Sequence, residues 1–135
     1  MLNELNHVID YIEEHLTDDL SLEIISEYAG VSDYNFRKIF FYLSGLTLSE
    51  YIKNRKLSEA SMDLLHGEKV TDVALKYGYQ SMDGFTRAFK KWSGLLPSDV
   101  IKKGISKSFP KLSFIITVKG GITMEFRIED KPAFN

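Results

Sequence analysis

A chain of 135 residues with 44% hydrophobic and 27% charged residues has the composition of one ordinary globular domain, or of a small domain with an appendage, and disorder as the dominant state is excluded. Cysteine is absent, which rules out disulfide frameworks, thiolate metal sites and cysteine nucleophiles together and fits a reducing cytoplasm. The net charge of -2 hides an asymmetry: residues 1–30 carry -8 with no Lys or Arg, residues 31–105 carry +4 and residues 106–135 carry +2, so a polyanion would be held by the middle of the chain.

Helical periodicity organises the first hundred residues. Leu2, Leu5, Val8, Ile9, Ile12 and Leu16 recur at the spacing of one face of an amphipathic helix. Ser21 is a good N-cap for a short second helix from Leu22 to Tyr28, which Gly30 ends. Ser32 caps a third helix whose inward face is Phe36, Ile39, Phe40 and Leu43, and Gly45 stops it. Thr47 and Glu50 form a capping box that opens a longer helix through Tyr51, Ile52, Leu57, Ala60, Leu64 and Leu65 as far as Gly67. Val70, Val73, Ala74 and Tyr77 mark another short helix, closed by Gly78. Ser81 caps the next, with Phe85, Ala88, Phe89 and Trp92 inward. Pro97 suits the first turn of a last short helix over roughly 97–103. No apolar stretch is long enough to span a bilayer and no signal-peptide pattern opens the chain, so no membrane partner is expected.

From Ser106 the texture changes. Leu112 to Val118 and Ile122 to Ile128 are β-rich runs around Gly120-Gly121, a hairpin signal. The spacing thus predicts an all-α domain over 1–105 and, over 106–135, a linker with a short β-hairpin segment. An isolated hairpin is marginal in water. The tail is therefore expected to pack on the helical domain or to pair with a second copy, giving a dimer through the β segment.

The most informative feature is a duplication. Sliding residues 32–46 by forty-nine positions places Ser32 on Ser81, Phe36 on Phe85, Lys38 on Arg87, Phe40 on Phe89, Ser44 on Ser93, Gly45 on Gly94 and Leu46 on Leu95. In both copies a short helix ending at glycine precedes, and a turn of three to four residues is expected between the helices. That is the helix-turn-helix pattern. Such a unit lays its second helix in the major groove, where base edges carry a distinct donor and acceptor code. Two units in one chain can enter successive major grooves, roughly 34 Å apart.

These residues carry a family resemblance. LSLEIISEYAGVSDYNFRKIF, the linker YIKNRKLSEASMDLL and VTDVALKYGYQSMDGFTRAFKKWSGLLPSDV resemble the DNA-binding domain of the AraC/XylS family of bacterial transcription regulators over about residues 1–105. The resemblance implies a seven-helix double helix-turn-helix domain, sequence-specific binding to double-stranded DNA and control of transcription. Residues 122–135 (ITMEFRIEDKPAFN) resemble the opening strand of a GyrI-like effector-binding domain, so 106–135 would be a linker and the incomplete start of a second domain.

Individual residues follow from the orientation. With Phe36 and Phe40 inward, Asp33, Tyr34, Arg37, Lys38 and Phe41 fall on or near the opposite face. Arg37 suits base contact, because guanidinium pairs bidentately with guanine. Tyr34 could press on a thymine methyl or reach a phosphate, and Lys38 suits a phosphate. The resemblance implies reading from the positions of Tyr34, Arg37 and Lys38. In the second unit Met82, Asp83, Thr86, Arg87 and Lys90 are outward. Asp83 is a departure, since a carboxylate near phosphates is repelled unless it accepts from cytosine N4, and Gly84 weakens its helix; a less specific second contact is expected. Ser32 and Ser81 are caps whose helix N-termini can also meet phosphates. Lys53, Asn54, Arg55 and Lys56 form a basic cluster in which Arg55 reads better as a salt-bridge partner than as a DNA contact. The acidic residues Asp10, Glu13, Glu14, Asp18 and Asp19 would lie away from DNA as a solvated face, or meet a partner such as RNA polymerase.

Catalysis is not expected. His7, His15 and His66 are scattered, no phosphate-binding glycine loop is present, SGLTLSEY lacks a nucleophile elbow, and neither metal nor cofactor is implied. Thirty tail residues cannot supply a small-molecule pocket. A reading from another class remains: a helical protein-interaction module that has lost strong DNA binding, motivated by the acidic N-terminus, Asp83 and Gly84.

Overall fold

A computed structural model of the chain describes residues 2–30, 33–118 and 122–128. Among them seven helices precede two strands: α1 (Leu2–Glu14), α2 (Leu22–Ala29), α3 (Asp33–Ser44), α4 (Leu48–Leu65), α5 (Val70–Lys76), α6 (Met82–Ser93), α7 (Pro97–Lys103), β1 (Leu112–Val118) and β2 (Ile122–Ile128). This is the all-α architecture with an appended hairpin that the periodicity implies. The proposed Ser32 cap and the Gly120-Gly121 turn lie outside the described residues.

The backbone divides into two compact units, with the boundary inside α4 after Ile52. The first contains α1, α2, α3, the opening of α4 and both strands; the second contains the rest of α4 with α5, α6 and α7.

In the first unit the apolar stripe of α1 buries Leu5, Val8, Ile9 and Ile12; Ile25 of α2, Phe36 and Phe40 of α3, Leu48 and Tyr51 of α4 and Leu112 and Phe114 of β1 are buried in the same unit. α1 ends at Glu14, two residues before Leu16. His15 Nδ1 lies 2.7 Å from the Tyr11 carbonyl and its ring stacks on Tyr11 at 4.1 Å, which suits an imidazole at a helix C-terminus. At α4 the capping box is complete: the Glu50 N–H donates to Thr47 Oγ1 at 3.1 Å and the Thr47 N–H to Glu50 Oε1 at 3.0 Å.

β1 is seated in this unit. The Asn6 amide clasps Phe114 at both ends, donating from Nδ2 to its carbonyl at 2.8 Å and accepting its N–H at Oδ1 at 2.9 Å. The Leu112 N–H donates to the Tyr51 hydroxyl at 3.1 Å, and Lys111 pairs with Asp10 at 2.6 Å. Phe114 is 1% exposed and meets the Phe40 ring edge-on at 5.9 Å. β2 pairs antiparallel with β1, from Leu112 opposite Ile128 to Val118 opposite Ile122, and passes beside α3. β1 thus packs on the helical unit, one of the two outcomes expected for an otherwise marginal hairpin.

The second unit buries Leu57, Ala60, Leu64, Val73, Ala74, Phe85, Phe89 and Val100. Arg55 is buried there. It ion-pairs with Glu59 at 3.4 Å and donates to the Phe109 carbonyl, while the Ser58 hydroxyl accepts the Phe109 N–H at 2.9 Å. Its salt-bridge role agrees with the sequence reading. α5 stops at Lys76, one residue earlier than expected. Tyr77 turns inward and donates to Asp63 at 2.7 Å, and Lys76 pairs with the same carboxylate at 2.9 Å. The turn before α6 therefore runs from Tyr77 to Ser81, five residues instead of the expected three to four, whereas α2 and α3 are three residues apart in the chain.

Candidate nucleic-acid interface

The duplication is reproduced atom for atom at the helix ends. Ser44 Oγ donates to the Phe40 carbonyl at 2.7 Å and accepts the Leu46 N–H at 3.2 Å; Ser93 Oγ donates to the Phe89 carbonyl at 2.7 Å and accepts the Leu95 N–H at 3.0 Å. Gly45 and Gly94 follow with φ of 76° and 78°, the left-handed conformation that a residue with a Cβ adopts at a cost. In both copies the first and second phenylalanines are fully buried. This fixes which face each helix offers to solvent.

On α3 that face carries Tyr34, Arg37, Lys38 and Phe41, spaced as one stripe along the helix, and all four are exposed. Lys38 Nζ sits 6.0 Å from the Tyr34 ring centre, within reach of a cation–π contact. Together with Thr47, Leu48 and Ser49 these side chains line an open groove of about 420 Å³. Two cations, an aromatic hydroxyl and two aliphatic hydroxyls around an apolar floor can hold phosphates at the rim and meet base edges inside.

On α6 the corresponding face carries Asp83, Arg87 and Lys90, all exposed, with Met82 46% exposed and Thr86 half-buried. Ser81 is the N-cap and accepts the Gly84 N–H at 3.1 Å. Asp83 lies in the first turn, where the helix dipole favours a carboxylate, and Lys90 and Lys91 lie in the last, where it favours cations. That arrangement gives Asp83 a local stabilising role that the sequence reading did not consider. Gly84 is accommodated in the first turn, where an added Cβ would come to 3.3 Å from the Ser81 hydroxyl. A smaller groove lined by Thr71, Leu75, Tyr79, Gln80, Ser81 and Met82 opens beside the N-terminus of α6.

The structure brings Tyr34, Arg37 and Lys38 together on one groove, and Met82, Thr86, Arg87 and Lys90 onto one helix; Ser32 lies outside the described residues. Phe41 lies on the same face, with no role expected from the sequence pattern. The duplication itself held the signal: Phe41 and Tyr42, 52% and 85% exposed, stand where the second copy has Lys90 and Lys91. No helix among the described residues is long and apolar enough to cross a membrane.

Residues 25–103 match the family described as a helix-turn-helix domain. The HTH-type transcriptional activator AarP of Providencia stuartii is 34% identical over 95 residues, 70% of this chain and 70% of its own length. An uncharacterized HTH-type transcriptional regulator of Staphylococcus aureus (strain MSSA476) is 35% identical over 96 residues, 70% of this chain, which spans only 13% of that regulator's length. Among solved structures, a transcriptional regulator of Chromobacterium violaceum, described as one of the AraC-type DNA-binding domain-containing proteins, has a TM-score of 0.71 at 20% identity and covers 75% of this chain and 91% of its own. The DNA-binding domain of the global transcriptional factor AdpA, in complex with a target DNA, has a TM-score of 0.65 at 22% identity over 74% of this chain and 91% of its own. These two structures share the fold, and the more similar activator shares the sequence across most of its length. The chain belongs to the helix-turn-helix domain family, with an HTH-type transcriptional activator among its relatives, and it shares the fold of AraC-type DNA-binding domains.

Proposed function

We propose that residues 1–105 bind double-stranded DNA sequence-specifically, with α3 and α6 entering successive major grooves, as the DNA-binding module of a cytoplasmic transcription regulator. One observation carries this reading: a helix pair with the same buried phenylalanines and the same serine-glycine stop occurs twice, and each copy offers cations on its exposed helix face. On α3, Arg37 reads a guanine, Tyr34 presses on a base or sugar and Lys38 holds a phosphate. On α6, Thr86 and Arg87 reach base edges or backbone, Met82 makes apolar contact and Lys90 holds a phosphate. Ser32 and Ser81 present helix N-termini to the flanking phosphates. Asp83 makes the second contact the less specific one. The fold shared with a DNA-bound domain supports the assignment.

Residues 106–135 form the linker and the start of an effector-binding domain of the GyrI-like kind, whose β segment also offers an edge for pairing two copies. The acidic surface of α1, with Asp10 and Glu14 exposed, turns away from DNA and is the face for RNA polymerase. No catalysis or cofactor belongs to this reading.

Selection from a random duplex pool followed by a salt titration tests the function. Enrichment of a defined sequence, and affinity for random duplex that falls steeply with salt as counterions are released, is the expected result. Absence of enrichment with salt-insensitive binding would leave the protein-interaction module in its place.

A further inference from the structure

The two copies of the reading helix have diverged in chemistry. By the forty-nine-residue offset, Tyr34 stands where the second copy has Asp83, Phe41 where it has Lys90, Tyr42 where it has Lys91 and Leu48 where it has Pro97. A lysine two turns into such a helix can hold a phosphate. A phenylalanine cannot, and together with Tyr34, 69% exposed on the same groove, it makes an exposed aromatic patch that calls for a reason. Phe41 is 52% exposed and lies on the same stripe as Arg37 and Lys38. It lines the α3 groove together with Tyr34, the two cations and Leu48, which is itself only 2% exposed.

We infer that the exposed Phe41 ring in this groove takes the 5-methyl group of a thymine, so that the first half-site carries a required thymine about two helical turns from the Tyr34 contact. The inference rests on the DNA-binding reading above. Thymine is the one base that projects a methyl group into the major groove, and apolar side chains recognise it there. The occupant is duplex DNA because the cations that draw a polyanion, Arg37 and Lys38, line the same groove. The aromatic first helix therefore reads by apolar shape at this position, while α6 grips the opposite half-site through Arg87, Lys90 and Lys91.

The test leaves the protein unchanged. The duplex enriched by the full chain from a random pool is resynthesised with deoxyuridine replacing one thymidine at a time, which deletes only the methyl. Within the half-site contacted by α3, one position is expected to lose about fourfold in affinity, the effect of one buried methyl group. The loss should vanish in Phe41→Lys, which restores the second-copy residue and should bind random duplex more tightly with a steeper salt dependence. Circular dichroism of Phe41→Lys checks that the helices persist. Enrichment of a sequence in which no deoxyuridine substitution matters, or a loss that persists equally in Phe41→Lys, overturns this inference while the DNA-binding reading stands. No enrichment at all overturns both.

Discussion

Replacing Phe114 with alanine removes a ring that is 1% exposed and packed edge-on against Phe40 of α3 at 5.9 Å. Buried Phe→Ala truncations cost about 3–5 kcal/mol through lost transfer energy and the cavity left behind, with the aromatic pair contributing roughly 0.5–1.5 kcal/mol of it. That is a large share of the 5–15 kcal/mol or so that holds a domain folded. The strand is also tied by the Asn6 amide, whose loss in Asn6→Ala would strand one N–H and one carbonyl of Phe114 in a half-buried site, at about 1–3 kcal/mol. The two effects should not add. Once Phe114→Ala lets β1 leave its seat, the Asn6 bonds are already broken, so Asn6→Ala should cost little in that background. Denaturant unfolding followed by circular dichroism measures all three variants, and amide exchange in α1 and α3 locates the loss. Near-wild-type stability of Phe114→Ala, or strict additivity of the pair, would refute the claim that residues 110–114 complete the core of the first unit.

Other consequences are equally direct. Arg37→Ala should relax sequence preference and cost about 1–3 kcal/mol against the selected site, whereas Lys90→Ala should weaken selected and random duplex alike; competition binding with both duplexes separates them, and an Arg37→Ala variant with intact preference would mean that α3 reads from another face. Asp83→Asn should tighten binding to random duplex, with a gain that shrinks at high salt, at the cost of a few tenths of a kcal/mol of helix stability because the first-turn carboxylate is lost; a loss confined to particular sequences would instead show Asp83 reading a cytosine. In the second unit, burial and the hydrogen bond to Asp63 push the Tyr77 hydroxyl above its ordinary value of 10.0, and the same carboxylate raises Lys76 above 10.5. Both folded values exceed the unfolded ones, so their stabilisation is complete below the ordinary values and is lost as pH climbs through the folded ones. The denaturant midpoint should fall above about pH 10 and fall less in Tyr77→Phe; a flat profile would remove the Asp63 cluster from the account.

Much of the helical framework was legible because its signals are local. Ser21, Thr47 with Glu50, Ser81 and the stop glycines act within four residues of themselves, and the 3.6-residue period identifies Phe36, Phe40, Phe85 and Phe89 as core. Of the two helix ends that differ from the expectation, that of α5 has a tertiary partner. Tyr77 ends α5 with its hydroxyl donating to Asp63, fourteen residues earlier, in a half-buried site. The seat of β1 was illegible for the same cause: Asn6 and Tyr51 bind backbone 108 and 61 residues away, and neither carries a local mark of that role. On the candidate interface, the duplication oriented both helices, so Tyr34, Arg37, Lys38, Arg87 and Lys90 emerge exposed as expected. The groove was not readable, because it is lined from two elements, and Leu48 and Ser49 of α4 join the α3 face only in the folded chain.

The central claim is that one chain reads DNA with two helices. A hydroxyl-radical footprint of the full chain on its selected duplex measures this most directly. Two protected tracts whose centres lie about one helical turn apart, roughly 10–10.5 base pairs, with Arg37→Ala weakening one tract and Arg87→Ala the other, is the predicted result. A single tract lost together in both variants, or no protection at concentrations where the chain is folded, would contradict it.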